Sequence, residues 1–239
     1  MVDYSRELGK ASLTINAIKL NPENPFTWAS GKRMPVYNDN RMHLWYPENR
    51  ELITQCLWDV IDRSGLSSKD SDFIAGTSTA GIPPGERLAD YLKKPFVYVR
   101  DKPKDHGLKN RIEGIDATSD LSGKVGILIE DLISTGGSSV ISVQALRDAK
   151  ATCNHCFSIF TYGFTEALEM FKGNLPYDKE GHKLATPCYT DSALTFETLL
   201  QVAIEMGKIE ERHLEIMRAV QTEGLNWGIN HGFPPVEKK

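Results

Sequence analysis

The chain has 239 residues, 40% hydrophobic and 25% charged, with a formal net charge of −4. These values suit one large α/β domain in a soluble globular protein and argue against binding to polyanions by the chain as a whole. Four cysteines at this length do not make a disulfide scaffold, no apolar run approaches membrane-spanning length, and the polar residues 1–7 do not read as a signal peptide, so a reducing, cytoplasmic setting is expected.

Apolar positions at Leu8, Ala11, Leu13, Ile15, Ala17, Ile18 and Leu20 predict a helix over residues 5–20. Residues 21–41 are rich in Pro, Asn and aromatics and read as irregular, with a short strand at Val36-Tyr37. Residues 49–64 read as a helix ended by Gly65, and residues 73–76 as a short strand. A helix follows Gly81 to about Leu92, then a strand over 95–99. Residues 100–116 are charged and aperiodic, a long loop. A strand beginning at Val125 leads into a helix ending near Ala149, and residues 156–162 form another strand. Residues 174–187 read as irregular, 194–206 and 209–220 as helices, and the tail from 224 has no clear period. This alternation predicts an α/β fold with a doubly wound, mostly parallel sheet flanked by helices. The expected organisation is a single domain over 1–239. Its small hood lobe comes from about 1–45 and part of 165–210, with a tail at 210–239 of unassigned role.

The stretch from Val125 to Ser139 carries the most chemistry. An apolar run, the mark of a strand buried on both faces, ends in Glu130 and Asp131. Ser134-Thr135-Gly136-Gly137-Ser138 then leads into a helix. Ligands of open α/β sheets bind at the carboxyl ends of the strands, and a helix N-terminus reached through glycines suits phosphate. Two carboxylates beside it suit sugar hydroxyls or Mg²⁺. The ligand these residues draw is a phosphorylated sugar.

This order resembles the phosphoribosyl pyrophosphate (PRPP) signature of type I phosphoribosyltransferases. Three further blocks resemble one branch, the orotate phosphoribosyltransferases. Pro25-Phe26-Thr27-Trp28-Ala29-Ser30-Gly31 with Pro35-Val36-Tyr37 matches a substrate stretch F-T-x-x-S-G…P-x-Y. Thr77-Ser78-Thr79-Ala80-Gly81-Ile82-Pro83 resembles a pyrophosphate loop. Arg100, Lys104, His106 and Gly107 match the catalytic loop R-x-x-x-K-x-H-G. The blocks keep the family's order over roughly residues 20–165.

The resemblance implies Mg²⁺-dependent transfer of ribose 5-phosphate from PRPP to orotate, giving orotidine 5′-phosphate in pyrimidine synthesis. It implies catalytic roles for Lys104 and Asp131. PRPP contacts would come from Arg100, Lys104, His106, Glu130, Asp131, Leu132, Ile133, Ser134, Thr135, Gly136, Gly137 and Ser138. Orotate contacts would come from Ser134 and Tyr37. Mg²⁺ would be held mainly by PRPP with Asp131 nearby. A homodimer sharing the loop across subunits is implied, with no nucleic acid or membrane partner.

The chain departs from many members in lacking lysines at Ala29, Ala80 and Asp101, and an arginine for the orotate carboxylate near Thr161-Tyr162-Gly163. Two alternatives share the signature: a purine phosphoribosyltransferase, and a PRPP-sensing regulator that binds nucleic acid. Cys153-Asn154-His155-Cys156 is a lone C-x-x-C and does not by itself make a four-ligand zinc set. There is no GxG and no Walker A motif.

Overall fold

The computed structural model of the chain describes residues 2–102, 111–116 and 120–236. The chain opens with α1 (Tyr4–Thr14) and then β1 (Ile18–Leu20), β2 (Phe26–Thr27), β3 (Arg33–Met34) and β4 (Val36–Asn38). A 3-10 turn (Asn40–Trp45) leads into α2 (Pro47–Arg63), β5 (Phe73–Thr77), α3 (Ile82–Leu92), β6 (Phe96–Val99) and β7 (Ile112–Glu113). Next come β8 (Val125–Ile133), α4 (Gly137–Asp148), β9 (Thr152–Thr161), α5 (Thr165–Phe171), β10 (Tyr189–Thr195) and α6 (Phe196–Glu205). The chain closes with α7 (Leu214–Glu223) and the single turn α8 (Trp227–Asn230).

Six strands form one sheet in the order β10-β9-β8-β5-β6-β7. All neighbours are parallel except β7, which runs antiparallel to β6 at the edge. Helices α1, α2 and α3 pack against one another as one layer, and α4 and α5 belong to the other. The inner strands are buried on both faces, which is why β5 and β8 read as continuous apolar runs. From β5 the chain winds outward to β6 and β7, then returns to β8 on the other side of β5. The carboxyl ends of β5 and β8 therefore flank the switch point where such sheets open a crevice.

Several elements differ from the sequence expectations. The first helix stops at Thr14, because Asn16 takes a positive φ of 58° and redirects the chain into β1. β1 pairs antiparallel with β4, and β2 with β3. The charged loop contains β7. Strand β9 starts at Thr152, so the C-x-x-C lies inside it. Leu194 and Thr195, expected to begin a helix, instead end β10, an outer parallel strand. Helix α7 begins at Leu214, later than 209, after a 3-10 turn at Glu211–His213.

Candidate active site

Glu130 and Asp131 sit at the carboxyl end of β8, at the switch point. Glu130 is only 4% exposed. Its Oε2 accepts the Ser139 hydroxyl at 3.0 Å and its Oε1 accepts the Asp131 backbone N–H at 3.0 Å. Burial, reinforced by the charge of Asp131, pushes the Glu130 carboxyl well above its ordinary range. Burial also raises Asp131, opposed by hydrogen bonds and by the charge of Arg41. Two adjacent carboxyls held out of water are a poor place for two negative charges. They are a good place for a cation or for sugar hydroxyls that donate.

The backbone beyond them is aimed by other parts of the chain. Asn40, buried in the 3-10 turn, donates its side-chain amide to the Asp131 carbonyl at 2.7 Å and accepts from the Asn38 amide at 3.1 Å. Gly136, the residue before α4, has φ 88°, a left-handed conformation that L side chains rarely adopt. A Cβ there would also press on Ala167 at 3.3 Å. Gly137 faces open space apart from the Tyr177 carbonyl, 3.9 Å from where a Cβ would lie. The free N–H groups of the first turn of α4 thus open onto an unobstructed approach, a favourable setting for an anion.

Beside this turn lies a cleft of about 350 Å³, lined among others by Trp28, Tyr37, Leu132, Ser134, Thr135 and Tyr162. Trp28 is fixed by its indole N–H, which donates to the Val36 carbonyl at 2.8 Å. Its ring lies 5.3 Å from that of buried Tyr162, whose hydroxyl burial pushes upward in pKa. A flat heterocycle fits between such aromatic and aliphatic walls. The loop after β5, with a cis Ser78-Thr79 peptide, approaches β8 closely: a Cβ on Gly81 would lie 2.7 Å from the Ile129 carbonyl.

The residues expected at the site from sequence fall into groups. Glu130, Asp131, Leu132, Ser134, Thr135, Gly136 and Gly137 converge on one end of β8, and Tyr37 reaches the same cleft. Ser138 is exposed on the first turn of α4. Ile133 turns its side chain into the core, 2% exposed, and its carbonyl accepts from the Tyr162 N–H and the Thr161 hydroxyl at 3.3 and 3.2 Å. Arg100, just past β6, pairs with Glu113 at 3.3 Å. Lys104 and His106 lie outside the described residues. Asn40, Ser139 and Tyr162 complete the site without any sequence motif to mark them. Among the described residues, the one group of three potential metal-ligating side chains drawn together is Asp178, Glu180 and His182, away from the C-x-x-C.

Comparison with known proteins adds the family. Residues 49–169 match the model of the phosphoribosyl transferase domain. An orotate phosphoribosyltransferase of Lactococcus lactis subsp. cremoris (strain SK11) is 39% identical over 226 residues, covering 95% of this chain and 99% of that protein. The crystal structure of orotate phosphoribosyltransferase from Aeropyrum pernix superposes with a TM-score of 0.63 at 25% identity, over 85% of this chain and 99% of that one. Leishmania donovani UMP synthase shares the fold, with a TM-score of 0.66 at 23% identity. The match covers 90% of this chain and 41% of that longer one. The chain therefore belongs to the orotate phosphoribosyltransferase family of phosphoribosyl transferases.

Proposed function

We propose that this phosphoribosyltransferase moves the 5-phosphoribosyl group of PRPP onto a ring nitrogen of orotate, giving orotidine 5′-phosphate and pyrophosphate. The observation that carries the reading is the junction at the end of β8. There a buried carboxyl pair and an open helix N-terminus adjoin a cleft lined by Trp28, Tyr37 and Tyr162. In the reaction the bond from ribose C1 to the pyrophosphate oxygen breaks and a C1–N bond forms, through a transition state resembling a ribosyl cation. Little covalent work falls to the protein. Its residues bind, orient and neutralise.

In this reading Ser134 to Ser138 and the first turn of α4 hold the 5-phosphate. Glu130 and Asp131 receive the ribose hydroxyls, whose donors satisfy the carboxyl oxygens. Trp28, Tyr37 and Tyr162 enclose the base, with Ser134 as a polar contact. Lys104, with Arg100 and His106, meets the pyrophosphate as negative charge builds on it. The paired acidic oxygens also fit Mg²⁺, which would be held mainly by PRPP with Asp131 nearby and would neutralise the pyrophosphate and ribose oxygens when bound. Orotate is acidic at its ring nitrogen, so no strong general base is required.

We further propose a homodimer whose 100–116 loop serves the neighbouring subunit, a hood drawn from 1–45 and part of 165–210, and a cytoplasmic setting. The free thiols of Cys56, Cys153, Cys156 and Cys188 suit reducing surroundings. The test is a base screen with PRPP and Mg²⁺, following pyrophosphate release. Orotate should be consumed and uracil, adenine and hypoxanthine should not. Turnover of a purine without orotate overturns the reading.

A further inference from the structure

The C-terminal residues carry no motif, yet they pack against the substrate cleft. Helix α7 ends at Gly224, which has φ 54° and ψ −133°, a conformation that suits glycine. That turn places Leu225 in the cleft wall, together with Trp28, Tyr37 and Tyr162. Leu225 also borders a second, more polar cavity of about 320 Å³ that Lys32, Glu166 and Gln221 line. Leu225 therefore borders both spaces.

The residues after Leu225 anchor it and clamp the hairpin that carries Trp28. Trp227 is fully buried, and its indole N–H donates to the Ile216 carbonyl at 2.7 Å. Its ring stacks on Phe233 at 5.9 Å, and the Arg33 guanidinium lies 5.9 Å above the Phe233 ring. The Val236 N–H donates to the Gly31 carbonyl at 3.0 Å. Arg33 itself reaches back to the Pro25 carbonyl at 2.6 and 3.0 Å. The tail thus holds β3 and the turn before it, and Leu225 lines the cleft beside them.

We propose that Leu225 is a specificity-determining residue, forming the apolar wall of the nucleobase subsite from a segment with no sequence signature. This rests on the reading of the cleft as the orotate site. A heterocycle in this cleft, resting against Trp28 and Tyr37, meets Leu225 at the wall. Neither Glu130 nor Asp131 lines this cleft, and of the 5-phosphate cradle only Ser134 and Thr135 reach its wall. Loss of the side chain should weaken the base and leave PRPP untouched.

The test is steady-state kinetics of the full-length wild type, Leu225→Ala and Leu225→Met, varying orotate and PRPP separately. Leu225→Ala should raise KM for orotate about tenfold, the scale of a lost apolar contact in a binding pocket, with KM for PRPP within about twofold. Leu225→Met keeps the volume and should stay near wild type. If Leu225→Ala fails to fold, Leu225→Val should show a smaller rise in the same constant. Unchanged orotate KM in a folded Ala or Val variant overturns the inference alone, as does an equal rise in both constants. A wild type inert toward orotate overturns the reading of the cleft and this inference with it.

Discussion

The side-chain amide of Asn40 donates to the main-chain carbonyl of Asp131 at 2.7 Å across 91 residues of sequence. This contact ties the turn after β4, which follows Tyr37, to the end of β8, which carries the carboxyl pair. Replacing Asn40 with Ala should destabilise the fold by about 1–3 kcal/mol, because a partly buried carbonyl loses its donor. It should also lower kcat/KM for PRPP by roughly tenfold to a hundredfold, since a misplacement of about 1 Å in a site is felt on that scale. Chemical denaturation and kinetics on the same preparation check both. The expected loss of stability with unchanged kcat/KM would show that the contact is structural only.

Asp131→Asn should weaken PRPP use by roughly tenfold to a thousandfold, the scale of one lost electrostatic contact in a preorganised site. The same substitution removes the charge that helps raise Glu130. The kinetics should therefore fall while the free protein becomes no less stable. An unchanged kcat/KM with normal folding would remove Asp131 from the site.

The raised carboxyls give the free enzyme a pH signature. A group whose folded pKa lies above its unfolded value binds more protons when folded, so the folded state loses ground as pH rises between the two. Stability of the unliganded protein should fall from the ordinary carboxylate range upward through neutral pH. The effect belongs to the Glu130–Asp131 pair jointly. Glu130→Gln should flatten that slope, and Mg²⁺ with PRPP should flatten it in the wild type. Thermal unfolding at three pH values, with and without ligand, reads this. A Glu130→Gln slope equal to wild type would mean the pair is not the origin.

His43 acts in the opposite direction. The Ser12 hydroxyl donates to the Leu8 carbonyl at 2.8 Å, so at 3.1 Å it accepts from Nε2 of His43. Nδ1 is then a buried acceptor with no partner among the described residues. Burial lowers the ring's pKa to about 4. A depressed histidine favours folding above its unfolded pKa and loses that contribution as pH falls. The wild type should lose about 2 kcal/mol between pH 7 and pH 5 relative to His43→Leu, by linkage. His43 lies in the same turn as Asn40, so acid should loosen the Asn40 latch first. Denaturant titrations of both proteins at the two pH values test it, and parallel slopes would refute it.

The parts of this molecule that were legible in the sequence are those written locally. The apolar run of β8, the carboxyl pair and the Ser-Thr-Gly-Gly turn are contiguous, so strand, crevice and anion cradle could be read together. Strand β10 was hidden because its polar residues are satisfied only in the folded sheet. Asp191 pairs with Arg63 at 3.0 Å, and the Ser192 hydroxyl bonds that of Ser158 at 2.6 Å. Without those partners the segment has too little apolar alternation to read as a strand. Trp28, Tyr162 and Leu225 meet in one cleft from three distant segments, and nothing in their spacing announces it. Ser139 has the sequence setting of an ordinary helix residue, and only the fold brings its hydroxyl to Glu130.

The proposed loop exchange makes a prediction that only a shared site satisfies. Lys104 falls in the charged stretch 100–116 of the sequence, while Asp131 is fixed at the end of β8. If Lys104 serves the neighbouring subunit, an Asp131→Asn chain and a Lys104→Ala chain are each impaired for different reasons. Lys104→Ala should lower kcat by about a hundredfold or more with a smaller change in KM for PRPP, because charge grows on pyrophosphate only as its bond breaks. In an equal mixture, random pairing makes half of all dimers mixed. Each mixed dimer holds one site with both defects and one with neither, so activity should recover to about a quarter of wild type in a symmetric dimer. The measurement is activity after unfolding and refolding the two chains together, with exchange verified by mass. Recovery near zero after complete exchange would place Lys104 in its own subunit's site.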